Sequence, residues 1–451
     1  MKSMIRIQKG LDLPLQGSPE QRVETGPSVR SVALLGGDYP GMRPTLHVAE
    51  GDRVRRGQLV FEDKKNPGVR FTAPAAGRVS AVNRGEKRFM QSLVINTTDG
   101  DGDQRFDSYR PRSLSALKRD QARELLIESG EWTALRTRPF GQTPPVDSEP
   151  AAIFVRVIDT QPLAPDPALI IEPELEAFEN GLKVLKSLTD GPVWVARPPD
   201  SPLPSFAGDG IQEEVFAGPH PAGNFGTHIH YLCPVGRQRT VWTVDYQDVI
   251  AIGHLFVSGQ RYTQRVVALT GPRVERPRLV RTRLGASTDE LCRGNLLEGP
   301  NRIISGSVFG GHHARDGLAW LSRWANQVTV IREDRERRLF GYLSPGLERH
   351  SKMNIYLSSL MRGRRFDLTS TTNGSERAMV PLGQYEMVMP MDVLPTQLLR
   401  SLIVGDLEMA ENLGALELIE EDLALCTYVC VGKYEYGPIL RDVLEQIQKE
   451  G

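Results

Sequence analysis

The chain has 451 residues, 39% hydrophobic and 25% charged, and its 55 Lys and Arg against 56 Asp and Glu leave a formal net charge of -1. Such a length exceeds one hydrophobic core and predicts two to four domains, while the balanced, interleaved charge excludes nucleic acid as an electrostatic partner. No window approaches the roughly 18 apolar residues that cross a bilayer, no apolar secretion signal follows Met1, and four cysteines make no disulfide framework, so the cytoplasm is the expected address.

Leu46 to Ile95 predicts short strands between glycine turns, with Gly51, Gly57 and Gly77 at the corners. The order Glu50-Gly51-Asp52, Val54, Gly57-Gln58, Leu59-Val60, then Ala73-Pro74, Gly77 and Val79 resembles the biotinyl/lipoyl type of barrel-sandwich hybrid domain. In carrier domains of that type a hairpin Lys is covalently loaded. Lys64 and Lys65 are the place to look, but Asn66-Pro67-Gly68 lengthens the turn, and a basic hairpin tip is the plainer reading.

Asp99 to Asp107 reads as an acidic linker, and Arg123 to Ser129 as a helix stopped by Gly130. Ala152 to Ile158 predicts a buried strand. Leu175, Phe178, Leu182, Leu185 and Leu188 then mark one face of a helix, and Val193–Val195 and Glu214–Phe216 further strands. Strand, helix, strand in this order predicts a Rossmann-like α/β layer. From Arg261 to Ser307 the pattern returns to short strands such as Arg265–Leu269, with Val328–Ile331 beyond, as in a small β-grasp domain. From Pro390 the signals are helical: Leu398, Leu399, Leu402 and Ile403 share a face, as do Ile439, Leu440, Val443, Leu444 and Ile447, with Pro438 expected as the first helical residue. The expectation is a multidomain α/β protein. Its units are a barrel-sandwich hybrid domain at 1–100, a Rossmann-like domain at 112–257, a β-grasp (SLBB-like) domain at 258–335 and a mainly helical domain at 336–451.

Three segments carry potential chemistry. Cys426 and Cys430 fit the last two positions of a ferredoxin-type C-x2-C-x2-C-x3-C-P run, but Glu420 and Leu423 stand at the first two and Val431 replaces the proline. Two thiolates do not hold a [4Fe–4S] cluster, so no metal is expected and the pair reads as half-buried cysteines one helical turn apart. Gly218, Gly223 and Gly226 follow a strand where an α/β sheet places its ligand loop, yet they do not spell G-x-G-x-x-G, which argues against a dinucleotide. Within that loop His220, and His228 and His230, which on a strand would project from one face, suggest with Gly223 and Gly226 a surface for a quinone or another partner; a zinc site would need further ligands. Gly310-Gly311-His312-His313 reads as a solvated turn. Ser370 to Arg377 reads as a polar loop of the kind that can carry function. No Ser/His/Asp set or carboxylate pair emerges, so no catalytic residue is assigned.

Taken together, Ile7–Pro14, Asp159–Pro167, the 218–230 loop, Arg302–Ser307, Gly341–Gly346, Asn373–Ser375, Leu394–Arg400 and Lys433–Pro438 resemble, along almost the whole chain, the family of the A subunit of the bacterial sodium-translocating NADH:quinone reductase. The resemblance implies a six-subunit complex that oxidises NADH, reduces ubiquinone and exports sodium. In it such a chain is not catalytic alone, sits on the cytoplasmic face of the inner membrane and docks chiefly on the neighbouring B subunit, a membrane protein. It implies further that no cofactor is bound here, with NADH, flavins and iron–sulfur centres on the partners, and that ubiquinone is the small molecule this chain could meet. The architecture is similar to the iron–sulfur subunit of Rnf complexes, and an Rnf-like carrier with its own clusters is the rival expectation.

Overall fold

The computed structural model describes residues 4–98, 102–111, 113–335, 343–361 and 363–450. The first three residues of the expected 99–107 linker, and Gly341-Tyr342 of the family signature, lie outside these. The barrel sandwich forms as the glycine spacing predicts. One sheet runs Ser31–Leu35, Met90–Thr97, Gly77–Arg84, Arg53–Val54, and the other Pro44–Leu46, Leu59–Asp63, Arg70–Thr72. Gly77 stands where a side chain would meet the Asn96 carbonyl oxygen at 2.1 Å, which is why that corner tolerates no Cβ. Lys64 and Lys65 sit exposed in the turn after Leu59–Asp63, whose buried Asp63 carboxylate accepts from the Arg43 and Lys65 N–H groups.

The second unit is an open α/β sheet in the order Ile5–Arg6, Ile211–Ala217, Val193–Arg197, Ile153–Arg156, Val241–Asp245, Arg136–Arg138, parallel except for the last edge strand. The expected helix spans Leu175–Ser187 and packs on Tyr246–Ser258. The contact is close because Gly181 and Gly253 face backbone carbonyls at distances no Cβ allows. A β-grasp sheet follows, ordered His312–His313, Asn301–Ser305, Gln327–Arg332, Gln264–Thr270, Arg278–Arg283, Glu20–Thr25. Residues 5–6 and 20–25 thus thread the α/β and β-grasp sheets before the chain enters the barrel. Gly310 to His313 is not a simple turn: His312–His313 pairs antiparallel with Ile304–Ser305, because that edge strand still has free backbone groups to satisfy.

The C-terminal unit packs short helices, Gln384–Val388, Pro395–Val404, Leu407–Asn412, Ala424–Val429 and Tyr436–Glu450, on a core that includes Leu398, Leu402, Leu440, Val443, Leu444 and Ile447. The last helix opens at Tyr436, two residues before Pro438; proline fits there because N–H groups of a first turn have no helical acceptor to lose.

A buried ionic lattice fastens the first three units. Glu131 accepts from Arg261 Nε at 2.8 Å and from Arg323 Nη2 at 3.0 Å. Arg323 also donates to Asp248 at 3.1 Å, Arg265 pairs with Asp248, and Arg261 reaches the Thr72 carbonyl in the barrel at 2.7 Å. Its arginines hold the Glu131 carboxyl down at about 2 against the opposing effect of burial.

Candidate functional site

In an open α/β sheet ligands gather outside the carboxyl ends of the strands where the strand order reverses. That switch lies between Ile153–Arg156 and Val241–Asp245. Their last residues meet as an ion pair, Arg156 Nε and Nη2 to Asp245 Oδ2 at 3.0 and 2.9 Å, while Asp245 also caps the helix that follows. Next in the chain, burial pushes the Asp159 carboxyl up to about 6, against the pull of Arg156. Arg156, Asp159 and Gln161 open into a cavity of about 1450 Å3 where all four units meet.

Arg136 lines the same cavity with its guanidinium laid on the Trp324 ring, 4.6 Å from the centroid, and its Nε buried without a hydrogen-bond partner. Burial pulls its pKa below the ordinary guanidinium value. Beside it Asp38, from the barrel, accepts from Ser322 Oγ at 2.6 Å and the Arg323 N–H at 2.8 Å. On the opposite wall an aromatic series runs Phe309, Tyr428, His350, Phe366, with His350 Nδ1 2.7 Å from the Tyr428 hydroxyl. The polar loop Ser370–Arg377 supplies Thr371 to Ser375 and Arg377 to the rim. The arrangement can take a planar ring between Trp324 and apolar walls and offer donors to its oxygens.

The histidines and glycines singled out in the 218–230 loop lie elsewhere. They are packed beneath the C-terminal unit rather than on a free surface. His228 and His230 are not on a strand: Phe225–Leu232 is a helix, because Phe225, Ile229 and Leu232 recur at helical spacing after Asn224 as N-cap. Two residues apart on a helix, the rings diverge. His228 is fully buried, bonded through Nε2 to the Ala222 carbonyl at 2.9 Å, and burial lowers its pKa to about 3. His230 crosses to the C-terminal unit, with Nδ1 2.7 Å from Glu417 and Nε2 accepting from the Asp392 N–H at 2.9 Å. His220, also buried with a pKa pushed down to about 3, stacks on Phe309 and so backs the cavity wall without lining it. The glycines serve close approach. A side chain on Gly223 would meet the Thr160 N at 2.7 Å, and one on Gly226 the Asp422 carboxylate at 2.3 Å.

Cys426 and Cys430 are fully buried, not half-buried, because the helical unit closes over them. Of the positions that would complete a cluster run, Glu420 is held by Arg441 at 2.6 and 2.8 Å and Leu423 is core. Among the described residues no three His, Cys, Asp or Glu side chains converge as a metal requires. The site residues missed in the sequence, Asp38, Arg136, Arg156 and Trp324, have no motif; tertiary folding alone brings them together.

Three family profiles match the chain: the NqrA N-terminal barrel-sandwich hybrid domain over residues 5–98, the NqrA second alpha/beta domain over 117–261 and the NQRA C-terminal domain over 266–316. The A subunit of the Na(+)-translocating NADH-quinone reductase of Alcanivorax borkumensis is 61% identical over 448 residues, covering 99% of this chain and 100% of that protein. The A subunits of the same reductase from Pseudomonas aeruginosa and Neisseria gonorrhoeae are 57% and 52% identical with the same coverage. A solved chain of an NAD+-reducing [NiFe]-hydrogenase shares a TM-score of 0.36 at 11% identity over 49% of this chain and 48% of that one, too partial a likeness to bear on function. With a barrel-sandwich hybrid, an α/β unit and a β-grasp unit in the order these profiles describe, and with full-length identities of 52% to 61%, the chain belongs to the family of the A subunits of the Na(+)-translocating NADH-quinone reductases.

Proposed function

We propose that the chain is the peripheral A subunit of a sodium-pumping NADH:ubiquinone oxidoreductase. In this role it sits on the cytoplasmic face of the bacterial inner membrane, docks on the membrane-embedded B subunit, has no redox centre of its own and contributes to quinone binding. The full-length identity to the A subunits of such reductases supports the assembly role. No described helix is long and apolar enough to cross a membrane, so in this reading the contact with the bilayer runs through partners. Apolar side chains suited to such a partner stand in solvent along 343–361 and across the helical unit, with Leu360 79% and Val404 76% exposed.

For the quinone, the observation that carries the reading is Arg136: a guanidinium without a hydrogen-bond partner for its Nε, spread on Trp324 inside a cavity large enough for a substituted ring. A carbonyl oxygen would satisfy that donor. A hydrogen bond to a charged group contributes about 1.5–3 kcal/mol, so Arg136→Ala should weaken binding of a short-chain ubiquinone analogue by about tenfold or more. The assay is quenching of Trp324 fluorescence on titration of the full chain, with Trp324→Phe as the blank. Unchanged affinity in Arg136→Ala would remove the site from this cavity. The isolated chain should also lack flavin and iron absorbance and should not oxidise NADH.

A further inference from the structure

Two stretches of the chain hold apolar side chains in solvent, and they carry opposite charge. Residues 343–365 contain five Lys and Arg against one Glu, and Leu343, Ile355 and Leu360 stand exposed among them. Residues 376–411 contain six Asp and Glu against two Arg, and there Val380, Leu382, Met387, Leu394, Val404 and Met409 are exposed. Of these acids Glu411 is held by Arg237. Glu376, Asp392, Asp406 and Glu408 face solvent and form no ion pair among the described residues.

The acidic stretch contains five apolar residues in a row, Ala378-Met379-Val380-Pro381-Leu382, outside any helix or strand and all exposed except Met379. A folded chain hides runs of that length unless they serve a contact. The run is fixed at both ends. At its start the Arg377 N–H donates to the Gly432 carbonyl at 3.0 Å, and a Cβ on Gly432 would stand only 2.9 Å from the Arg377 carbonyl oxygen. At its end Gly383, at a φ of 74°, opens the helix Gln384–Val388. Between these ends the N–H groups of Ala378, Met379, Val380 and Leu382 have no acceptor among the described residues, so backbone donors stand free beside the apolar side chains. Thr396 Oγ1 donates to Glu386 Oε1 at 2.5 Å and ties this helix to Pro395–Val404, whose outer side carries Gln397, Arg400 and Val404 after Leu394. A surface held in place in this way loses little freedom when it binds.

The sign of the charge selects the partner. Cytoplasmic loops of membrane proteins carry an excess of Lys and Arg. A membrane-embedded subunit therefore turns a basic face toward a chain docked from the cytoplasm, and that face attracts an acidic surface and repels a basic one. We propose that residues 376–411 form the docking surface for basic cytoplasmic loops of the membrane-embedded partner. The Ala378–Leu382 run is its apolar anchor, its free N–H groups donate to partner carbonyls, and the four unpaired carboxylates meet partner Lys and Arg. The assignment rests on the peripheral-subunit role above and adds which of the two apolar surfaces makes the contact.

The test pairs the full chain with the detergent-solubilised rest of the complex, prepared without this subunit, and reads Kd at ionic strengths of about 0.05 and 0.3 M. Val380→Ser/Leu382→Ser changes two exposed side chains and should raise Kd by about tenfold or more, whereas Leu360→Ser in the basic stretch should leave it within about twofold. Glu376→Lys/Glu408→Lys should weaken binding chiefly at the lower ionic strength. If a variant does not fold, hydrogen exchange of the wild type decides: residues 376–388 gain protection in the complex and 343–361 do not. The opposite pattern of protection, a loss of affinity in Leu360→Ser but not in Val380→Ser/Leu382→Ser, or a Kd indifferent to salt and to the charge reversals overturns the proposal. So does capture of the wild type, but not of Val380→Ser/Leu382→Ser, by protein-free vesicles of phosphatidylethanolamine and phosphatidylglycerol, since the occupant is then lipid. A wild-type chain that binds the membrane subunits at neither ionic strength overturns the peripheral-subunit role itself, and this surface with it.

Discussion

Gly226 sits in the first turn of the Phe225–Leu232 helix, where two physical rules point in opposite directions. Helix propensity favours alanine over glycine by about 1 kcal/mol, so Gly226→Ala would stabilise an isolated helix. In the folded chain the new methyl carbon would stand 2.3 Å from Asp422 Oδ1 and 2.6 Å from Cγ. The carboxylate must then retreat by about 1 Å to reach ordinary contact. It is not free to do so: its Oδ2 accepts from Arg138 Nη1 and from the Ile419 N–H, both at 2.9 Å, and a retreat of that size breaks one or both bonds. Overpacking costs about 1–3 kcal/mol, and disrupting a buried pair about 3–5 when nothing replaces it. Glu421 and the Glu417 carbonyl remain for Arg138 at 3.3 and 3.2 Å and soften the second loss. The net expectation is a destabilisation of about 2–4 kcal/mol, concentrated where the helical unit meets the α/β unit. All five tryptophans precede residue 325, so fluorescence would not report on the helical unit directly. Hydrogen exchange by mass spectrometry over 415–447 reads it, with urea unfolding by circular dichroism for the whole chain. Asp422→Ala in the Gly226→Ala background should cost less than the sum of the single changes by at least about 1 kcal/mol, since the clash is then gone. An alanine variant as protected as wild type, or strict additivity, would refute the close approach.

Three further outcomes follow from the same geometry. His228 binds its proton near pH 3 when folded against an ordinary 6.5. The unfolded chain therefore holds more protons between these values, and the stability His228 lends is full above pH 6.5 and lost as pH falls. Between pH 7 and pH 5 the advantage of wild type over His228→Gln should shrink by about 2 kcal/mol in paired urea titrations; a constant difference would mean the ring is not held neutral. Glu131→Ala leaves Arg261 and Arg323 buried without their shared carboxylate, so unfolding free energy should drop by about 3–5 kcal/mol, checked by the urea midpoint. Intact-mass measurement should return the unmodified chain, as expected if Lys64 and Lys65 form a basic hairpin tip rather than a loaded carrier site.

Local patterns carry the fold and little of the cavity. The glycine corners of the barrel, the Leu175–Leu188 stripe and the C-terminal stripe from Ile439 to Ile447 are periodic signals that tertiary context reinforces. That His228 and His230 lie on a helix is not read from the sequence, because the glycine- and proline-rich approach masks the helical spacing of Phe225, Ile229 and Leu232. Threading of residues 5–6 and 20–25 into two later sheets is a long-range pairing, for which no neighbouring residues give a sign. The loop Ser370–Arg377 stands out by composition and does reach the cavity rim. Arg136 and Trp324 come from strands and turns almost 190 residues apart, and neither is unusual in its own neighbourhood.

The position of the cavity follows from how the α/β crevice is filled. At the switch point Asp245 takes up the Arg156 guanidinium, so that cation is not left to meet a phosphate. The loop that would wrap a phosphate instead has Gly223 admitting Thr160 and Gly226 admitting Asp422, a carboxylate packed against the first turn of the helix. A second anion at that turn would have to displace the first, and with it the Arg138 pair. What stays open is the side of the crevice where Arg156, Asp159 and Gln161 look toward Arg136 and Trp324 across the four-unit junction. Among the described residues the surfaces it offers are the Arg136–Trp324 stack, apolar wall, and guanidinium donors without a partner at Arg136 Nε and Arg332 Nε. The flat ligand with carbonyl oxygens proposed above meets those demands.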